Sequence, residues 1–154
     1  MKRSLPLLLV VFGLGLWVGR GLPAAAEAPP PPAVVPLADA PQLVAPSGKA
    51  TVRRLAGEPE GAEHAFVAIL EIEAGAGVPT HRDPTEEFVY VLEGGGTITI
   101  DGKTFEIGPE TGIFMPAEAE VSFAARDDGP TRVLQVFAPR GPEAKYATWK
   151  APAP

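Results

Sequence analysis

The chain has 154 residues, no cysteine, and 13 basic against 19 acidic side chains, a net charge of −6. That length suits one domain with extensions, and the lack of cysteine excludes disulfides, thiolate metal centres and lipid attachment through a cysteine. The acidic balance argues against nucleic acid and anionic membrane surfaces as partners. A hydrophobic fraction of 45% is enough for a core, although part of it belongs to the N-terminus.

That N-terminus reads as a secretory signal over residues 1–26. Lys2 and Arg3 form the basic start, residues 5–18 the apolar run, and Ala24-Ala25-Ala26 a small-residue cleavage site. The run is shorter than the ~20 residues of a membrane span. The expected location is therefore secreted or periplasmic. The alternative is an uncleaved anchor flanked by Arg20, which would be the only membrane contact. Cleavage removes three basic residues and no acidic one, leaving 10 basic and 19 acidic residues, net −9. Residues 27–48 follow as a linker, with Pro29-Pro30-Pro31-Pro32, Pro36, Pro41 and Pro46. Proline fixes φ and removes the backbone donor, so this stretch is expected to be an extended spacer.

From residue 49 the punctuation is that of an all-β protein, short apolar runs between Gly, Pro and Asp. An edge strand is expected at 51–55. The next, at 64–73, is apolar on both phases, with Phe66, Ala68, Leu70 and Ile72 against Val67 and Ile69. Such a strand needs a second layer on its outer side, from a sheet or another subunit. Further strands are expected at 86–93, 97–100, 103–107, 111–115, 120–125 and 131–138. Gly94-Gly95-Gly96 reads as a turn, and Asp101-Gly102 as a two-residue hairpin turn. No helical periodicity interrupts the series. About eight strands in under a hundred residues suggest a small barrel or jelly roll over 49–140. Residues 141–154 read as a tail pinned by Tyr146 and Trp149.

The chemistry gathers in residues 75–94, GAGVPTHRDPTEEFVYVLEG. His81, Asp83 and Glu87 are all odd-numbered, and side chains two apart on a strand share a face. Pro84 interrupts the alternation. One imidazole and two carboxylates can hold a hard divalent ion such as Mn, Fe or Mg, with water completing the shell. They are poor ligands for structural zinc. The competing arrangement is a metal-free cluster in which protonated His81 pairs with Asp83 or Glu87. His64, the other histidine, is a remote fourth candidate. No nucleophile elbow or phosphate loop is present.

The same stretch resembles the first motif of the cupin family. Gly75, His81, Glu87 and Gly94 fall at the motif's spacings, and Asp83 stands where it has a second histidine. The resemblance covers about residues 49–140 and implies a small single-domain jelly-roll barrel, the habit of forming homodimers, and a metal site. In the family's second motif only Pro116 matches. Glu110 and Glu118 stand in place of its glycines, Val121 in place of the third metal histidine, and Ala125 in place of its Asn. Val121 and Phe123 share a phase and are expected to form an apolar cavity wall opposite the acidic trio, with Glu120 facing away. Two functions follow. One is a secreted binding module for a small ligand, or a non-catalytic dimerising unit, with a degenerate and weak metal site. The other is a metal-dependent enzyme of dioxygenase or isomerase type using His81, Asp83 and Glu87.

Overall fold

A computed structural model describes residues 29–153, so the expected signal segment at 1–26 lies outside the described residues. Ten strands are formed: β1 (Gln42–Val44), β2 (Ala50–Ala56), β3 (Phe66–Ile72), β4 (Gly77–His81), β5 (Glu86–Glu93), β6 (Gly96–Ile100), β7 (Lys103–Ile107), β8 (Gly112–Met115), β9 (Val121–Ala125) and β10 (Thr131–Ala138). The only helices among the described residues are three short 3-10 segments. None is long and apolar enough to cross a membrane.

The strands pair antiparallel into a six-stranded sheet, order β1-β2-β3-β10-β5-β8, and a four-stranded sheet, order β4-β9-β6-β7. The period-2 pattern explains which face turns inward. On β5, Glu87, Val89 and Val91 are buried, and Phe88, Tyr90 and Leu92 are exposed. On β10, Thr131, Val133, Gln135 and Phe137 are buried. The inward phases of both sheets meet in one core cluster, which includes Val89, Val91, Ile98, Ile107, Val121 and Val133. Burial of this kind contributes about 25 cal/mol per Å² of apolar surface.

The turns behave as their chemistry requires. Asp101 and Gly102 take φ of 46° and 75°, the double positive φ of the expected hairpin between β6 and β7. The Gly94-Gly95-Gly96 segment does more than turn. It carries the chain from one sheet to the other through very close backbone contacts. A Cβ on Gly94 would lie 2.2 Å from the Pro130 carbonyl oxygen, and one on Gly96 would lie 2.1 Å from that of Ala124. The wholly buried Thr131 hydroxyl locks the crossing, donating to the Gly95 carbonyl at 2.7 Å and accepting the Gly95 N–H at 3.1 Å.

Three expectations shift. Strand β2 is not an edge, because β1, which falls within the proline-rich stretch 27–48, pairs along it. Strand β4 joins the series where only the odd-numbered face of 81–87 was legible. On the two-faced strand β3, Ile69 points outward yet is buried, sharing a recess with Leu37, Thr51 and Arg53. The tail is pinned as expected. A 3-10 helix (Pro142–Thr148) buries Tyr146 against Phe66, centroids 5.9 Å apart, and Trp149 packs edge-on to Tyr146 at 4.8 Å. Lys150 then bridges to Val44 on β1.

Candidate metal and ligand site

The acidic trio converges by a different route from a single strand face. His81 ends β4 in the four-stranded sheet, and Glu87 lies near the start of β5 in the six-stranded sheet. Asp83 sits in the connection between them, where Pro84 breaks the ladder. The chain crosses from sheet to sheet here, and one potential ligand atom from each residue lies within 4.8 Å of the others.

Each side chain is held from behind. The Nδ1 of His81 lies 2.9 Å from the Pro79 carbonyl. A carbonyl only accepts, so Nδ1 carries a proton and Nε2 faces the site. Nε2 lies 3.6 Å from Asp83 Oδ2, and the Lys145 ammonium donates to that same oxygen at 2.7 Å. Glu87 accepts from Gln135 Nε2 at 2.6 Å, and Gln135 in turn accepts from the Tyr146 hydroxyl at 2.6 Å. All three members of this second chain are buried.

The electrostatics follow from these contacts. The hydrogen bond to Asp83 raises the pKa of His81 against the opposing effect of burial. Burial acts to raise the pKa of Asp83, but hydrogen bonds from His81 and Lys145 outweigh it and hold the carboxyl below its ordinary value. Burial wins at Glu87 and raises its pKa despite the Gln135 hydrogen bond. The Tyr146 phenol is pushed up by burial and then by the nearby Glu87 charge.

These groups form one end of a cavity of about 440 Å³. The remainder is lined chiefly by apolar side chains, among them Val89, Ile98, Ile113, Met115 and Val133. Val121 and Phe123 line it from beside His81, not from the expected wall opposite. Strand β9 pairs with β4, and Val121 is in register with His81. Glu120 faces away and binds Arg82 at 3.0 Å. His64 takes no part: its side chain is 91% exposed, and its ion-pair neighbour is Glu63, at 3.7 Å. One imidazole nitrogen and two carboxylates at this spacing fit a hard divalent ion with water in the remaining positions.

Sequence reasoning missed Gln135, Lys145 and Tyr146 as parts of the site. Gln135 carried a signal, because it is the one amide in the inward phase of a strand otherwise lined by Thr131, Val133 and Phe137. Lys145 carried none, since it reaches Asp83 from 62 residues away.

Residues 68–137 match the family model for the cupin domain. A solved cupin protein from Bacteroides fragilis is 30% identical, with a TM-score of 0.51, over 57% of this chain and 77% of that one. The chain belongs to the cupin superfamily. Polyketide cyclase RemF from Streptomyces resistomycificus is similar in structure to this cupin, with a TM-score of 0.62 and 26% identity over 69% of this chain and 78% of that one. Polyketide synthase CurC from Streptomyces cyaneus is 30% identical over 84 residues, 54% of each chain. The chain thus spans about half the length of the curated relatives it matches. Glu110 and Glu118, standing where the family has glycine, both hold φ of 62°, the left-handed conformation that glycine favours.

Proposed function

We propose that this cupin binds a small, largely apolar molecule in its barrel, next to a weak divalent-cation site formed by His81, Asp83 and Glu87. The observation that carries this reading is the convergence of the trio at one end of an otherwise apolar cavity of about 440 Å³. Cavities of ~300–1,000 Å³ with few polar groups are the usual form of small-molecule sites. Three protein ligands with a single nitrogen leave several coordination positions to water, which is why the site is weak. When bound, the cation, Mn, Fe or Mg, would supply Lewis-acid polarisation of a ligand oxygen. The chain itself orients Glu87 through Gln135 and Tyr146, and it excludes water along the apolar wall. Isothermal titration with Mn²⁺ tests the reading. Glu87→Gln, which removes a charge at nearly constant shape, should abolish binding. Val121→His, placed in register beside His81, should strengthen it. Tight wild-type binding that Val121→His leaves unchanged would mean an unidentified ligand residue and a site that is not degenerate.

A second reading, a metal-dependent enzyme, draws support from RemF being a polyketide cyclase and CurC a polyketide synthase. The buried Glu87, with its pKa raised, suits the work of a proton carrier. That reading requires the Mn²⁺-loaded chain to accelerate proton exchange at the α-carbon of a bound ketone probe, and Glu87→Gln to abolish the effect.

Assembly and location complete the proposal. The outer face of the six-stranded sheet exposes Phe88, Tyr90 and Phe114, with Phe88 in register with Phe114. We propose that a second copy of the chain covers this face, which also includes the outward side of β3. Sedimentation should give a dimer, and Phe114→Glu should give a monomer. Export follows the n-, h- and cleavage regions of residues 1–26, and N-terminal sequencing should find the mature chain starting after Ala26. An intact Met1 on cytoplasmic protein would contradict export.

A further inference from the structure

We infer that Lys145 reads the charged head of the ligand, so that the barrel selects molecules with an apolar body and one anionic head group. This rests on the reading that the barrel holds a small ligand, and it adds the chemical class of that ligand.

Lys145 is placed with unusual definition for a lysine. It precedes Tyr146, whose burial among Phe66 and Phe137 fixes the 3-10 helix that carries both. Its ammonium lies 4.7 Å above the ring of Phe137 and 2.7 Å from Asp83, and it lines the cavity beside the trio. The aromatic ring and Asp83 together fix the ammonium itself at the polar end.

The charges around it point to an anion. Arg82, which also lines this end, is committed to the Glu118 carbonyl and to Glu120. A divalent cation held by Asp83 and Glu87 has both its charges balanced by those two carboxylates. Asp83 then shares its charge between the ion and Lys145, so the Lys145 ammonium leaves this end with a net positive charge. An anionic group on the ligand balances that charge through a charge-assisted hydrogen bond to the ammonium. The rest of the lining, including Val89, Ile98, Ile113 and Val133, offers nothing to a second charged group. The ligand's charge must therefore sit at the polar end, and its body in the apolar remainder. Charge-assisted hydrogen bonds to an ammonium are roughly twice as strong as neutral ones, so the anion should be preferred by about tenfold or more over a neutral analogue.

The test is isothermal titration of the full chain with 2-naphthoate and with the neutral 2-naphthamide, in saturating Mn²⁺ and in its absence. Wild type should prefer naphthoate by about tenfold or more in Mn²⁺. Lys145→Met keeps the stem and removes the charge, so it should lose the preference while naphthamide affinity stays constant. Lys145→Arg should retain the preference. Lys103→Met, which removes an exposed ammonium on β7 away from the cavity, should change neither affinity. Equal binding of the two probes by wild type, or a naphthoate preference that survives in Lys145→Met, would overturn the assignment and leave the ligand-binding reading standing. Failure of both probes to bind, or loss of binding in Lys103→Met, would overturn the ligand-binding reading and this assignment with it.

Discussion

Strands β5 and β10 each contribute to both ends of the cavity, and the two ends are built by different means. At the apolar end, Val89 and Val133 pack with Ile107 from the facing sheet, all at most 8% exposed. At the polar end the same inward phases present Glu87 and Gln135, whose places are set by hydrogen bonds to each other and to Tyr146. The apolar end is specified by shape and volume, through many small contacts that back each other up. The polar end is specified by a few partners distant in sequence, 48 residues apart for Gln135 and Glu87 and 62 for Lys145 and Asp83. Changes at the first end should therefore act on stability, and changes at the second on binding.

The largest effect is expected where packing rules. Ile107→Ala should cost about 2–5 kcal/mol of unfolding free energy in urea titrations, with Mn²⁺ affinity nearly unchanged in the folded fraction. A comparable loss of metal affinity would show that the two ends are not separable. Gln135→Leu should divide its effect the other way. Removing the partner that orients Glu87 should weaken Mn²⁺ binding about 10- to 100-fold. The stability loss should be limited to about 1–3 kcal/mol, from the Tyr146 hydroxyl left buried without an acceptor.

A smaller effect is expected with pH in the metal-free chain. His81 has its pKa raised in the fold, so its contribution is complete below its ordinary value of 6.5 and is lost as pH rises through the raised one. Asp83 has the opposite sign: its contribution is present above its ordinary value of 3.8 and lost as pH falls through the depressed one. Urea midpoints measured in chelator should fall above neutrality in the wild type and less so in His81→Gln. The smallest effect is at the second-motif turn. Glu118→Gly relieves a left-handed backbone at φ 62° and should stabilise by about 1 kcal/mol, while its backbone still binds the Asp83 carbonyl and Arg82.

The contrast between the two ends also explains what the sequence could reveal. The apolar end follows a local rule, since period-2 alternation in β5 and β10 names Val89, Val91 and Val133 as inward. The hairpin at Asp101-Gly102 was equally local. His81, Asp83 and Glu87 were legible because they lie within seven residues, although the sheet crossing that joins them was not. Val121 was placed in the cavity by its phase, but no rule internal to one strand says that β9 lies beside β4 and not opposite it. Strand β1 was hidden by the prolines that flank it, Pro41 and Pro46, which leave room for only a three-residue edge strand. Lys145 and Tyr146 act only after the tail folds back over the barrel, and that depends on tertiary packing against Phe66 and Phe137.

The central claim is that His81, Asp83 and Glu87 form the cation site, and pulsed electron paramagnetic resonance of bound Mn²⁺ tests it most directly. A six-coordinate ion with these three ligands should show one imidazole nitrogen and about three exchangeable waters. The nitrogen signal should disappear in His81→Gln. A spectrum with no nitrogen, with two, or with a nitrogen that persists in His81→Gln would contradict the account.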